Sequence, residues 1–223
     1  MQVILLDIEG TTTPLDFVYE TLFPFARNRL DKFVTSQLDD ADLKQLDTEY
    51  RNDSAPSKPN WEIPPIQYLY WLMEQDRKSP ALKSIQGKIW KAGYEDGSLK
   101  GEFFPDVVPA VKRWKAQGKR VAIYSSGSVL AQKLLFKYNR FGDISKMIDD
   151  YFDTEIGSKK EPESYMEIAK RLDVPTSEIL FITDSAAECT AAEKAGNLVR
   201  YSVRPGNKIE QVLFQRLESF EEI

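Results

Sequence analysis

The chain has 223 residues, 42% hydrophobic and 29% charged, with a formal net charge of −5, which is typical of a soluble globular protein and disfavours nucleic acid or an anionic membrane as a partner. It contains no histidine and one cysteine, so the Ser-His-Asp triad, the Cys-His pair and the usual zinc sites are excluded. Any chemistry must use carboxylates, hydroxyls, lysines and a hard metal with oxygen ligands, which means magnesium before zinc.

No targeting pattern or membrane-spanning run is visible in the sequence, so we expect a cytoplasmic protein that does not bind membranes. The lone Cys189 cannot form an internal disulfide, which agrees with a reducing compartment. We interpret it as a small buried residue of a helix.

The first element is the short apolar run Val3–Leu6, which predicts a buried parallel strand. Asp7 and Glu9 follow it directly, and because side chains alternate along a strand, both carboxylates leave its end in the same direction. Gly10 permits a tight turn, and the hydroxyl of Thr11 can hold that turn or a ligand. Open α/β sheets place their chemistry at such strand ends.

The next stretch, residues 15–99, carries helical patterns and no convincing strand. One helical segment is predicted from Asp16 to about Ser36, with a bend or break at Pro24. Further helices are predicted over 39–53, from 66 onward and over 81–94. We therefore expect an all-helical domain inserted after the first strand.

From about residue 100, strands and helices alternate. A helix with Asp106 as its N-cap ends at Gly118. Strands are predicted at Arg120–Tyr124, Tyr151–Asp153, Ile179–Thr183 and Leu198–Tyr201, each followed by a helix, and the last helix is C-terminal. This alternation specifies an α/β fold with a doubly wound parallel sheet. We predict a catalytic core of residues 1–14 and 100–223, with a helical cap of residues 15–99.

Polar groups follow successive strands of this sheet and should gather at one edge. They are Asp7 with Glu9, Ser125 with Ser126, Lys159 or Lys160, and Asp184 with Glu188. Taken singly, such residues are most often turns, helix N-caps or solvated surface. Together, in this order, they suit phosphoryl transfer.

Each group has a chemical role in that reaction. Asp7 can attack phosphorus without a histidine to activate it, and Glu9 can protonate the leaving oxygen if neighbouring anions raise its pKa. Ser125 and the N–H groups at the following helix N-terminus can bind phosphate, while a lysine cancels its charge. Asp7, Asp184 and a backbone carbonyl near residue 9 would give Mg²⁺ oxygen ligands.

These motifs resemble those of the haloacid dehalogenase (HAD-like) superfamily of phosphatases over essentially the whole chain. Glu9 departs from the superfamily pattern, in which the second acid is usually aspartate. Glu9 and several separated segments are similar to the enolase-phosphatases of methionine salvage. These segments are Thr21–Pro24, Asp106–Ala110, Tyr124–Val129, Gly157–Lys159, Glu163–Tyr165 and Val203–Asn207.

The resemblance implies Mg²⁺-dependent conversion of 2,3-diketo-5-methylthiopentyl-1-phosphate to acireductone and phosphate, through an aspartyl phosphate at Asp7. It implies that Asp7, Glu9 and Asp184 serve the metal site, with Glu188 and Thr11 in support. It also implies that Ser125, Ser126 and Lys159 bind substrate, because the Gly-x-Lys spacing favours Lys159 over Lys160. Glu9, with its longer reach, is the candidate base for enolisation. We expect a monomer.

Other functions remain open at this point. A phosphatase of the same superfamily could act on another small phosphate ester without enolisation. A dehalogenase fits less well, because that reaction leaves Glu9 with little purpose. A non-catalytic module that only accepts phosphate at Asp7 would not need so large a helical insertion.

Overall fold

The computed structural model describes residues 1–77 and 79–223. The chain divides into two compact units, one formed by Met1–Tyr19 with Lys100–Ile223 and the other by Glu20–Leu99. The first unit thus extends to Tyr19, whereas the predicted core segment ends at Pro14. No helix in the described ranges is long and apolar enough to cross a membrane.

A six-stranded parallel sheet forms the centre of the first unit. Its strands are β1 (Val3–Leu6), β2 (Arg120–Tyr124), β3 (Asp150–Phe152), β4 (Ile179–Thr183), β5 (Leu198–Ser202) and β6 (Arg216–Leu217), in the order β3-β2-β1-β4-β5-β6. The order reverses at β1, so the chain continues to β2 on one side and returns for β4 on the other. Leu6 pairs with Ile123 and Ile182, which brings the ends of three strands side by side. The predicted doubly wound α/β fold is confirmed.

Helices are the regular elements of the second unit within its described residues. They are α1 (Phe23–Arg27), α2 (Leu30–Ser36), α3 (Asp40–Asn52), α4 (Ile66–Glu74) and α5 (Pro80–Glu95), preceded by a π-helical segment at Phe17–Leu22. The segment predicted to bend or break at Pro24 is divided, but the division lies between Arg27 and Leu30. Pro24 lies in the first turn of α1, where its missing N–H leaves no helical hydrogen bond unmade.

The helices of the first unit follow its strands along the chain. They are α6 (Val107–Ala116), α7 (Val129–Lys137), α8 (Pro162–Arg171) and α9 (Ala186–Lys194). A buried cluster that includes Tyr124, Tyr165 and Phe181 packs one face of the sheet against α8 and α9. Cys189 on α9 is free and fully buried within it, as predicted.

The predicted C-terminal helix is wrong. After β5 the chain runs without an α-helix to β6 and then to a short 3₁₀ turn at Phe220–Glu222. Sheet pairing overrides the local helical pattern, because Arg216 and Leu217 pair with Tyr201 and Ser202 at the sheet edge. Leu217 in β6 and Phe220 in the 3₁₀ turn are both buried.

Asp106 occupies the N-cap position of α6, but its side chain makes no cap hydrogen bond. Its Oδ2 accepts instead from Arg204 Nη1 at 2.8 Å and from the backbone N of Phe220 at 2.6 Å. Asp106 therefore ties the C-terminal segment to α6, which a cap signal in the sequence does not reveal.

Candidate active site

Lys159 is the centre of the candidate site. Its Nζ lies 2.7 Å from Asp7 Oδ1 and 2.7 Å from Glu188 Oε2, and its side chain is only 9% exposed. Asp7 follows β1, Lys159 lies in the loop before α8, and Glu188 stands in the first turn of α9. Lys160 is exposed. The parallel sheet therefore brings together one lysine and two carboxylates from three distant parts of the chain.

Thr183, the last residue of β4, also belongs to this group. Its Oγ1 lies 2.8 Å from Asp7 Oδ2 and 2.8 Å from Glu188 Oε2. Sequence reasoning missed it, because a threonine in a strand is an ordinary β-former. The available signal was its position next to Asp184 at the end of the strand that pairs with β1.

Burial and neighbouring charges shift the pKa values of the site residues. Burial raises the pKa of Asp184 to about 7, and the negative charges of Asp7 and Glu188 add to this effect. Burial and then Asp7 raise the pKa of Glu188 to about 7. Burial would lower the pKa of Lys159, but the carboxylates of Asp7 and Glu188 outweigh it, so that pKa is raised. Lys159 therefore stays protonated, and the carboxyl groups around it outnumber it.

Glu9 lies on the turn that leaves β1. Burial raises the pKa of its carboxyl above the ordinary value, Asp7 raises it further, and Lys159 acts in the opposite direction. This is the environment that a general acid requires, because a proton is retained at a pH where an exposed glutamate would have lost it.

The turn from Asp7 to Thr13 is fixed by its own backbone. Ile8 O accepts from the N–H groups of Thr11, Thr12 and Thr13 at 3.2, 3.0 and 2.9 Å, and Gly10 adopts φ +64°. A Cβ at Gly10 would lie 2.1 Å from Asp184 Oδ2, so glycine is needed both for the turn and for the approach of Asp184. The Thr11 hydroxyl has no hydrogen-bond partner within the described part of the chain.

This turn also accepts hydrogen bonds from three side chains in or after β5, those of Ser202, Arg204 and Asn207. The sequence alone gave these residues no structural role. Ser202 Oγ and Asn207 Nδ2 donate to Gly10 O at 3.1 and 2.8 Å. Arg204 Nε donates to Thr11 O at 3.1 Å. Their nearest sequence signal was the Val203–Asn207 segment, which carried a family resemblance without indicating these contacts.

Ser125 and Ser126 follow β2, the strand that pairs with β1. Ser125 is buried, its N donates to Phe152 O at 3.2 Å, and its Oγ accepts from Gly127 N at 3.2 Å. Ser126 is exposed. Ser128 caps α7 by accepting from Ala131 N. The turn thus presents a hydroxyl and backbone N–H groups at the start of a helix, an arrangement suited to an anion.

The donor chemistry of the site fits a hard divalent cation, which prefers carboxylate oxygens. Asp184 Oδ2 lies at the Gly10 turn, and burial followed by the negative charges of Asp7 and Glu188 raises the pKa of its carboxyl. In residues 1–77 and 79–223, however, no three His, Cys, Asp or Glu side chains are grouped closely enough to hold a metal ion. The predicted roles of Asp7, Glu9 and Asp184 as metal ligands therefore stay predictions.

Known proteins resemble this chain along nearly its whole length. A family model described as haloacid dehalogenase-like hydrolase matches residues 1–196. The enolase-phosphatase E1 of Synechococcus elongatus is 47% identical over 99% of this chain and 96% of its own. The protein of that name from Danio rerio is 42% identical over 92% of this chain and 86% of its own.

Among solved structures, the UTR4 protein of Saccharomyces cerevisiae matches with a TM-score of 0.82 and 35% identity, covering 100% of this chain and 99% of that one. Sequence, fold and the residues gathered at the strand ends agree. The chain belongs to the haloacid dehalogenase-like hydrolases and, within them, to the enolase-phosphatase E1 family.

Proposed function

We propose that this chain is the bifunctional enolase-phosphatase that converts 2,3-diketo-5-methylthiopentyl-1-phosphate to acireductone and phosphate in methionine salvage. The observation that carries the proposal is the placement of Lys159 between Asp7 and Glu188 at the strand ends, with Glu9 on the adjoining turn. This arrangement supplies a nucleophile, a fixed cation and a proton donor without histidine.

Asp7 is the proposed nucleophile. Its carboxylate attacks phosphorus, the bond from phosphorus to the substrate oxygen breaks, and an aspartyl phosphate forms. Lys159 stabilises the charge on the phosphoryl group during transfer, and its raised pKa keeps it protonated throughout. Ser125 and Ser126 bind the phosphate at the start of α7. Water then cleaves the aspartyl phosphate to release inorganic phosphate.

Glu9 is the proposed proton-transfer residue. As an acid it protonates the leaving oxygen of the enol, and as a base it then takes a proton from the hydrolytic water. We also assign it the earlier step, removal of a proton from the carbon next to the substrate carbonyl. Its raised pKa supports both roles, because a carboxyl that titrates nearer neutrality both gives and takes a proton readily.

Mg²⁺ is the proposed cofactor, held by Asp7, Glu9 and Asp184, with Glu188 and Thr11 in support. When bound, it supplies Lewis-acid stabilisation of negative charge on phosphoryl and carbonyl oxygens. We further propose that the protein acts as a monomer in the cytoplasm. The single free cysteine supports a reducing compartment, and light scattering after size-exclusion chromatography tests the oligomeric state.

The direct test is an assay on the diketone phosphate with and without Mg²⁺. We expect ultraviolet absorbance of a conjugated enol to appear before phosphate is released, and both signals to require the metal. Release of phosphate without prior enol absorbance, or from other small esters only, would replace this proposal by a simple phosphatase of the same superfamily.

Glu9→Gln separates the two half-reactions. The amide cannot take up the proton, so we expect the enol signal to be lost while inorganic phosphate still binds. A variant that enolises the substrate at the wild-type rate would remove Glu9 from the role of base. Glu193→Gln, at an exposed glutamate of the same core unit, is the matched control and should leave both signals unchanged.

A further inference from the structure

The loop that carries Lys159 lies between β3 and α8 and has little regular structure of its own. Its backbone hydrogen bonds are local turns, such as Ile156 N to Asp153 O at 3.2 Å and Gly157 N to Thr154 O at 3.3 Å. A lysine also has four rotatable side-chain bonds, so its head group is not positioned by the backbone turn alone. Other contacts must fix the loop.

Three hydroxyl groups bind three consecutive carbonyls of this loop. Tyr124 Oη donates to Gly157 O at 3.1 Å, Ser164 Oγ donates to Ser158 O at 2.7 Å, and Tyr165 Oη donates to Lys159 O at 2.6 Å. We call Tyr124, Ser164 and Tyr165 the hydroxyl clamp. They come from β2, which pairs with β3, and from α8, which follows the loop.

The clamp is itself immobilised by packing. Tyr124 and Tyr165 are fully buried, and their rings meet edge to face with centroids 5.6 Å apart. Tyr165 also contacts Phe181 of β4, with ring centroids 5.1 Å apart. A Cβ at Gly157 would lie 2.3 Å from Ser164 Oγ, so the loop approaches α8 as closely as a glycine allows. The donors therefore cannot follow the loop if it shifts.

Tyr124 connects the clamp to the rest of the site. It directly precedes Ser125 on the chain, and its ring centroid lies 5.8 Å from Lys159 Nζ. The same side chain thus links the strand end that carries the phosphate-binding serines to the loop that carries the lysine. Its hydroxyl holds the backbone of the loop, and its ring lies beside the cationic head.

We propose that the hydroxyl clamp, and Tyr165 above all, is a positioning device that sets the place of Lys159 Nζ for a phosphoryl group. Tyr165 donates its hydrogen bond to the carbonyl of the lysine itself, so its hydroxyl acts on the site through Lys159. This inference rests on the proposed function only in taking the phosphoryl group as the ligand of Lys159.

The test measures dissociation constants of inorganic phosphate, by titration calorimetry with Mg²⁺ present. The proteins are wild type, Tyr165→Phe, Lys159→Met and the double variant. Loss of one buried hydroxyl contact should weaken phosphate binding about five- to tenfold in Tyr165→Phe. In the Lys159→Met background the same change should have no further effect, because the ammonium group that Tyr165 positions has been removed.

Tyr151→Phe is the matched control. Its hydroxyl donates to Ser145 O at 3.4 Å, away from the lysine loop, so phosphate binding should stay within twofold of wild type. Ser164→Ala is the second clamp variant and should weaken binding in the same direction as Tyr165→Phe. Equal weakening by Tyr165→Phe with and without Lys159, or no weakening at all, would overturn the proposal.

Phosphate binding does not depend on which ester is turned over, so the two proposals fail separately. If wild type does not enolise the diketone phosphate, but the variants give the expected pattern with inorganic phosphate, the proposed substrate is wrong and the clamp stands. If enolisation proceeds and the pattern is absent, only the clamp is wrong.

Discussion

The two units of this protein each contain a lysine held between two carboxylates, in very different surroundings. In the helical unit, Lys88 Nζ lies 2.7 Å from Asp39 Oδ2 and 2.5 Å from Asp42 Oδ2. In the sheet unit, Lys159 Nζ lies 2.7 Å from an oxygen of Asp7 and 2.7 Å from one of Glu188. The distances are nearly the same, but the Lys88 side chain is 36% exposed and that of Lys159 only 9%.

Distance alone therefore does not identify a functional ion pair. Solvent screens Lys88 and Asp39, and exposed pairs of this kind contribute about 1 kcal/mol or less to stability, although Asp42 is itself buried. Burying Lys159 with two acids carries a desolvation cost of several kcal/mol, which the ion pairs must offset. An arrangement so costly to build is expected where charge is needed for chemistry.

Asp7→Asn and Asp39→Asn should differ most in their rates of phosphate release. An amide is no nucleophile toward phosphorus, so we expect Asp7→Asn to lower phosphate release on the order of 10⁴-fold or more. Asp39→Asn retains the N-cap acceptor of α3 and should leave the rate within twofold of wild type. Steady-state phosphate release measures both variants. Comparable losses in the two would mean that the carboxylate at Asp7 has no special role.

The next contrast is Lys159→Met against Lys88→Met. Removal of the buried cation should lower kcat by on the order of 10²- to 10³-fold, because charge on the transferring phosphoryl group is no longer balanced. Lys88→Met should lower the free energy of unfolding by about 1–3 kcal/mol, because the buried Asp42 loses its cation, and should leave kcat unchanged. Kinetics and urea denaturation are measured on each variant. An active Lys159→Met would show that another group neutralises the phosphate.

The pH dependence of stability should carry opposite signs in the two units. Asp184 and Glu188 have pKa values raised to about 7, so between about pH 4 and pH 7 the unfolded chain binds fewer protons than the folded one. Their contribution therefore stabilises the fold at low pH and is lost as pH rises through that window. Hydrogen bonds from Lys88 and from the backbone N–H of Asp42 lower the pKa of Asp39. The contribution of Asp39 to stability is therefore lost as pH falls.

Urea denaturation of Asp184→Asn and wild type at pH 5 and pH 7.5 isolates the first of these contributions. The stability of wild type relative to Asp184→Asn should fall on going to pH 7.5, and Mg²⁺ should reduce that fall by binding the ionised form. A difference that does not change with pH would contradict the raised pKa of Asp184.

The smallest expected effect contrasts two glycines with left-handed backbone, Gly10 at φ +64° and Gly97 at φ +78°. Alanine at either position should lower the free energy of unfolding by about 1–2 kcal/mol. Only at Gly10 would the new Cβ meet Asp184, whereas at Gly97 nothing lies within 4 Å. We expect a roughly tenfold loss of Mg²⁺ affinity in Gly10→Ala alone, measured by calorimetry. Unchanged affinity would separate Asp184 from the metal.

The parts of the fold that could be predicted from sequence are those with strong local signals. The apolar runs of β1, β2 and β4 have the continuous pattern of strands buried on both faces, and polar groups at their ends mark the active edge. The C-terminal segment could not be predicted in this way. Its apolar residues, Ile209, Val212 and Leu213, have helical spacing, but pairing of β6 with β5 decides the conformation.

The residues of the site could likewise be predicted only where a local sequence signal marks them. Lys159 and Lys160 are adjacent residues of a loop with no periodic pattern. The family resemblance favoured Lys159, and the folded path shows that Lys159 reaches Asp7. Thr183 resembles any threonine of a strand until its contacts with Asp7 and Glu188 are seen. The hydroxyls that hold the Lys159 loop come from β2 and α8, and contacts between distant elements leave no trace in local sequence.

Chemical trapping of the phosphorylated enzyme shows whether Asp7 is the nucleophile. Wild-type protein is mixed with the diketone phosphate and Mg²⁺, quenched in acid within the first turnover, reduced with borohydride and digested with trypsin. The tryptic peptide Met1–Arg27 contains Asp7. An aspartyl phosphate at Asp7 predicts conversion of that residue to homoserine, detected by mass spectrometry and absent from Asp7→Asn. A label at any other residue, or full turnover with no label in that peptide, would contradict the account.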